Sequence, residues 1–409
     1  MKNKAVCLLL LIELLFLFVG CNNEKMQTQS HEKVDSTTTT VSDTTVEPMI
    51  ENNNYTNRCG ILDLSDGGNA VITNDNSLYM WGQNYGGFMG EKTEISEVKT
   101  PQKFYDDVRV VSTNVHHIGI IKTDNNLYLW GSNTYGQLGD GTNNSSDTPI
   151  KIMEDVKTVE LGYNYSAAIT NDNSLYMWGC NSDGQLGNGT TENSSAPIKI
   201  LDKVVDICLG YAFCTAITEN GDLYIWGNKN SVAGIFGFGT DSLKPQKVLD
   251  NTKSAVICGN NLAVITKDNS LLMRGDNSSG QMGIGEFSKE RNSSDNIITN
   301  FVKVMDNVEK VSLSGITSAA ITKDGSLYLW GCNTYYQIGD GTNNDSATPI
   351  KVMDNVVDVN LYQWCSSAIT SNGDLYTWGT SEYRFQLGNG DATVQETPTK
   401  IMSNVLVDN

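Results

Sequence analysis

The sequence predicts an all-β fold, a seven-bladed β-propeller built of four-stranded antiparallel blades. Three observations predict it. One pattern recurs about every 48 residues through most of the chain. The composition, with 38 Gly against 7 Pro and abundant Asn, Asp, Ser and Thr, suits short strands joined by tight turns. The end of the chain is read as carrying a segment missing from the first repeat.

The recurring pattern is an apolar-Thr strand, a polar turn, Leu-Tyr-x-Trp-Gly and then Gly-Gln-Leu-Gly. Its Trp-Gly pair falls at Trp81, Trp130, Trp178, Trp226, Trp330 and Trp378. A seventh copy, residues 271–275, keeps the spacing from Trp226 with Arg274 in place of Trp. Within residues 166–178 two strands flank Asn171, Asp172, Asn173 and Ser174, and Asn and Asp tolerate the positive φ of a tight hairpin. One such sheet cannot cover both its faces, so seven are expected to stack around an axis, each burying its neighbour. The Trp side chains are expected to fill the gaps between blades, and Arg274 to leave a weaker gap at the fifth. The surplus length around residues 286–300 belongs in a surface loop.

The first copy begins near Arg58 and is read as lacking the Pro-x-Lys-Ile-Met strand, whereas the chain ends on residues 398–405, which contain one. The expectation is closure by strand exchange between the termini, the last segment completing the first blade and removing free edges.

Residues 1–20 read as a signal peptide: Lys2 and Lys4 precede an apolar run broken only by Glu13. The run is too short for a comfortable membrane span. It ends in Leu17, Phe18, Val19, Gly20 and Cys21, which resembles a bacterial lipobox. That resemblance implies lipidation of Cys21 and attachment to the extracytoplasmic face of a cell membrane through the lipid anchor only, in the outer membrane if the organism has one. Residues 21–57 are polar and aperiodic, a flexible tether, and residues 58–409 form the propeller.

The formal net charge is −19 and no Lys/Arg-rich run follows the first residues, which argues against nucleic acid as a partner. The nine cysteines form no CxxC pair or Cys/His cluster, so no structural zinc is expected. Cys180 and Cys332, each after a Trp-Gly pair, are expected as small buried side chains. Cys208 and Cys214 are near enough in sequence for a disulfide, which stays open. The three histidines, His31, His116 and His117, offer no triad and no metal set. Residues 140–144 and 340–344 are oxygen-rich but lack the downstream Glu of an EF-hand loop, and read as turns. No catalytic residues, metal or cofactor are expected.

The segments Ser166-Ala167-Ala168-Ile169, Trp178-Gly179-Cys180-Asn181 and Gly184-Gln185-Leu186-Gly187 resemble the repeat of the regulator of chromosome condensation family, and the resemblance runs from residue 58 to the end. It implies the propeller; for function it implies less, because this fold hosts unrelated binding tasks. The eukaryotic namesake promotes guanine nucleotide exchange on a small GTPase and docks on chromatin, roles not expected of an exported, acidic chain. A bacterial relative similar in architecture, the secreted propeller-type β-lactamase inhibitory protein, caps its target with aromatic residues from the loops of one face.

Here the loops before the Ala-Ile-Thr strands hold His116 and His117, Tyr163 and Tyr165, Tyr211 and Phe213, and Tyr362 and Trp364, read as equivalent positions. Loops that vary inside a repetitive scaffold and are rich in Tyr and Trp form a candidate binding surface. The competing reading is that these rings seal the propeller rim. Tyr85, Tyr135, Tyr335 and Tyr336 recur more regularly and are read as packing. The expected function is that of a non-enzymatic, surface-exposed, monomeric lipoprotein binding an extracellular or periplasmic protein. The alternative is a glycan-binding or glycan-processing propeller with carboxylates at the central channel.

Overall fold

The computed structural model describes residues 61–65, 68–84, 89–90, 96–227, 243–287, 296–380, 386–391 and 393–407. The signal peptide, Cys21, the tether, Cys59, Gly67, Tyr85 and most of the surplus loop lie outside them. The described residues form seven four-stranded sheets, each made of four consecutive antiparallel strands.

The first strand of each blade (Leu62–Ser65, Val108–Thr113, Val156–Leu161, Val204–Leu209, Thr252–Cys258, Val308–Leu313 and Val356–Tyr362) packs against the first strands of both neighbours. The ring closes where Val356–Tyr362 meets Leu62–Ser65. First and second strands are almost wholly buried, while fourth strands such as Ser146–Met153 are partly exposed along their length. The core therefore lies between blades.

The hairpin turns carry the expected backbone. Asn76, Asn125, Asn173 and Asn269 take φ between 60° and 65°, and Gly221, Gly325 and Gly373 hold the same place in the other blades.

The Trp side chains lock blade to blade. All six of the Trp-Gly pairs are fully buried. Trp81, Trp178, Trp226, Trp330 and Trp378 each donate Nε1–H, at 2.8–2.9 Å, to the main-chain carbonyl of a Gln in the preceding blade: Gln386, Gln137, Gln185, Gln281 and Gln337. The Gly after each Leu gives the indole its room; a Cβ at Gly139 would stand 2.6 Å from Trp178 Nε1. Arg274, in the fifth blade, is also buried, with its guanidinium 5.1 Å from the Phe301 ring. Burial lowers its pKa to about 10. Cation–π contact thus occupies the place left without an indole.

The two termini do close the ring together, but through a different segment from the one expected above. Gln395–Met402 is the outer strand of the last blade, pairing with Leu375–Gly379, and the first blade has its own outer strand, Glu97–Tyr105, which contains Pro101, Gln102 and Lys103. The Pro-x-Lys segment ends a repeat instead of opening one. What crosses the seam is shorter. Val405 bridges Thr73 antiparallel, as Val156 and Val204 pair with Thr170 and Thr218 in blades 3 and 4. Leu406 N–H donates to Ile72 O at 2.9 Å, and Asn74 N–H to Asn404 O at 3.0 Å. Residues 404–406 begin the innermost strand of the first blade, and Leu62–Ser65 completes it.

Cys208 and Cys214 form no disulfide with each other: Cys214 Sγ lies 3.3 Å from Gln185 O in the preceding blade and Cys208 Sγ 3.9 Å from Ile257 O in the next. They face opposite sides of their sheet. Cys332 is buried as expected, but Cys180 is half-buried, with Sγ 3.6 Å from Ser182 Oγ.

Candidate functional site

Strand register separates the eight aromatic and histidine residues singled out in the sequence. His117, Tyr165 and Phe213 are the first residues of second strands, paired with Gly131, Gly179 and Gly227. Tyr163 and Tyr211 stand two residues earlier, His116 and Trp364 one residue earlier, and Tyr362 ends a first strand. They are not equivalent positions. His117, Tyr165, Phe213 and Tyr362 belong to strands, whereas His116, Tyr163, Tyr211 and Trp364 lie in the bends and turns before the second strands.

His117, Tyr165, Phe213 and Tyr362 face inward and are buried, so the expectation that they meet a partner is corrected. His117 Nε2 lies 2.9 Å from Ser166 Oγ of the next blade. Burial, with His116 adjoining, pushes its pKa down to about 3, so the imidazole is neutral. Tyr165 O–H donates to Gly210 O at 2.7 Å, another tie between blades.

His116, Tyr163, Tyr211 and Trp364 remain at the surface. The first three form a continuous row over blades 2, 3 and 4. The His116 and Tyr163 rings meet edge-on with centroids 4.8 Å apart, and Tyr163 and Tyr211 meet at 5.4 Å. Tyr211 is 38% exposed. Burial lowers the His116 pKa, which favours the neutral imidazole. Across the propeller, Trp364 packs on Tyr335 of blade 6 with centroids 6.0 Å apart.

The main chain under these rings is held firmly. Ser132 N–H donates to His116 O at 2.7 Å, Cys180 N–H to Asn164 O and Thr380 N–H to Trp364 O, both at 2.9 Å. This is why Gly follows each Trp: a Cβ at Gly131 would stand 2.5 Å from His116 O. The Asn of Trp-Gly-x-Asn organises the neighbouring loop. Asn133 is buried, accepts from Leu138 N–H and donates to Thr142 O and Asn144 O. In the same loop Asp140 accepts from Thr142 N–H at 2.9 Å, the behaviour of a turn.

Tyr135 and Tyr335 were read as packing; they are 40% and 37% exposed, although Tyr335 does pack against Trp364. Gln137 and Gln337 take the inward role in those loops, their side-chain oxygens accepting from Tyr135 N–H and Tyr335 N–H. The recurring Gln two residues on was the signal. Among the described residues no group of three or more His, Cys, Asp or Glu is placed to hold a metal ion.

The RCC1-like domain model matches residues 153–408, and the model of the regulator of chromosome condensation (RCC1) repeat matches residues 124–169. The chain belongs to the RCC1-like domain family. It is similar to the X-linked retinitis pigmentosa GTPase regulator of Mus musculus, 35% identical over 83 residues, which is 20% of this chain and 8% of the relative. It is also similar to the regulator of chromosome condensation of Homo sapiens, 31% identical over 70 residues, 17% and 15% of the two chains. The matches span 15% or less of those relatives' own length. Two solved structures share the fold. Prp20p of Saccharomyces cerevisiae is 22% identical with a TM-score of 0.68, covering 80% of this chain and 85% of the other. Human WBSCR16 is 18% identical with a TM-score of 0.66, covering 80% and 94%.

In this RCC1-like propeller two carboxyls of the innermost strands, Asp63 of blade 1 and Glu160 of blade 3, are fully buried. Asp63 Oδ2 accepts from Thr113 N–H at 2.6 Å. Burial, and secondarily the charge of Glu160, pushes the Asp63 pKa well up. The pair is sealed from solvent.

Proposed function

We propose that this RCC1-like propeller is a non-enzymatic, lipid-anchored protein that binds an extracellular or periplasmic protein through the end carrying His116, Tyr163 and Tyr211. The observation that carries the proposal is the row itself: three rings in mutual contact, one per blade, on backbone that is fixed by hydrogen bonds. Rigid aromatic side chains lose little entropy on binding and dominate interface energetics. Protein binding also fits the fold's known uses, since Prp20p is described as binding Gsp1p and histones and has been crystallised with Kap60.

Two experiments test the proposal. Full-length chain used as bait in extracytoplasmic extract should retain a protein that Tyr163→Ala/Tyr211→Ala releases, with melting temperature nearly unchanged because both rings lie in loops. Retention that survives this double substitution would refute the site. Labelling cells with an alkyne fatty acid should mark the wild-type chain and leave Cys21→Ser unlabelled; equal labelling would refute the anchor.

A further inference from the structure

We infer that the partner presents a segment bearing Lys and Arg to the aromatic row, an inference that rests on the protein-binding reading and adds the partner's chemistry. Charge is distributed unevenly around the row. The loops that supply its rings, residues 114–116, 162–164 and 210–212, contain no Asp, Glu, Lys or Arg. Beside them, residues 132–145 and 180–193 join the third and fourth strands of blades 2 and 3. They carry Asp140, Asp183 and Glu192 and no Lys or Arg, whereas the matching segment of blade 4, residues 228–245, carries Asp241, Lys229 and Lys244 in sequence. The two kinds of loop touch: Gln137 Nε2 donates to Asn164 Oδ1 at 3.3 Å.

The same holds near Trp364. Residues 332–345, which bring Tyr335 against it, carry Asp340 and Asp345 and no cation. Over all seven blades, the sequence between third and fourth strands has thirteen Asp or Glu against six Lys or Arg.

The opposite end of the propeller is different. There a fourth-strand lysine answers a carboxylate in each blade, as in Lys103–Asp106, Lys151–Glu154 and Lys199–Asp202 at 2.5–2.7 Å. Row and carboxylates together suit a guanidinium or ammonium: aromatic faces attract cations, and flanking carboxylates accept charge-assisted hydrogen bonds. Neutral His116 adds no repulsion. A second copy of this chain, at net charge −19, does not suit such a surface.

The test uses full-length chain and three labelled synthetic peptides of equal length: one alternating Arg with Gly and Ser, one with citrulline in place of Arg, and one with Glu. Fluorescence anisotropy should detect binding of the Arg peptide alone, weakening as salt rises. Tyr163→Ala/Tyr211→Ala and Asp183→Asn/Glu192→Gln should each weaken it about tenfold or more. Asp172→Asn/Asp324→Asn, at the opposite end, should leave it unchanged. Equal binding of the citrulline peptide, no binding of the Arg peptide, or equal loss in the opposite-end variant would overturn the inference. The two claims fail separately. A captured protein lost in the Tyr variant but retained in Asp183→Asn/Glu192→Gln would overturn the basic partner and leave protein binding standing, whereas retention in both variants would overturn both.

Discussion

Trp81 Nε1–H in the first blade donates to Gln386 O in the last at 2.8 Å, so the seam between the chain's two ends is locked as the internal junctions are. The same carbonyl also accepts from Asn69 Nδ2 at 2.9 Å. Trp81→Phe removes one buried hydrogen bond and should cost about 1–3 kcal/mol in denaturant unfolding. Trp178→Phe, at an internal junction, should cost a similar amount. A much smaller loss at Trp81 would mean that the seam is not closed like the others.

Two neighbouring glycines separate backbone strain from collision. Gly139 and Gly141 have φ of 79° and 84°, but a Cβ at Gly139 would strike the Trp178 ring whereas one at Gly141 would meet nothing within 4 Å. Gly141→Ala should cost about 1–2 kcal/mol, the penalty of a left-handed residue with a Cβ. Gly139→Ala should cost distinctly more and should perturb the Trp178 near-ultraviolet signal. Equal costs would show that the indole pocket is not tight.

Acid should weaken the propeller through His117. Its folded pKa lies near 3, below the ordinary value of about 6.5, so below pH 6.5 the unfolded chain takes up a proton that the folded chain refuses. Stability attributable to this group is complete above pH 6.5 and falls as pH drops toward 3, by at most about 1.4 kcal/mol per pH unit. His117→Gln should flatten that limb of the pH–stability curve. Asp63 has the opposite sign: its raised pKa means that stability falls as pH climbs from the ordinary carboxylate range. Asp63→Asn should therefore raise stability at neutral pH.

The terminal clasp should matter more than its length suggests. Val405 is fully buried and bridges Thr73. Removing residues 404–409 should cost about 3 kcal/mol, from a lost buried valine and lost main-chain bonds. Hydrogen exchange at Asn74, whose N–H donates to Asn404 O, should accelerate, and unchanged exchange there would contradict the clasp.

The propeller was legible because its determinants are local and repeated. A Trp whose nitrogen must find a carbonyl, a Gly that must leave room for it and an Asn at positive φ recur in the text as they do in space. Closure was misread because the outer strand of one blade and the inner strand of the next are contiguous in sequence, and only pairing shows where a blade ends. The aromatic surface was legible by loop and misread by residue. His116 and His117 are adjacent, yet one is half-buried in a bend and the other is in the core, since the second strand begins at His117. Tyr135 was misassigned because recurrence alone does not distinguish the ring that faces out from the Gln that faces in.

The most direct test of the central claim is a hydrogen-exchange footprint of the full chain with and without its captured partner. The account predicts protection of the amides at residues 114–116, 162–164 and 210–212, and no change in the turns at 123–126, 171–174 and 219–222. Protection confined to those turns would contradict it.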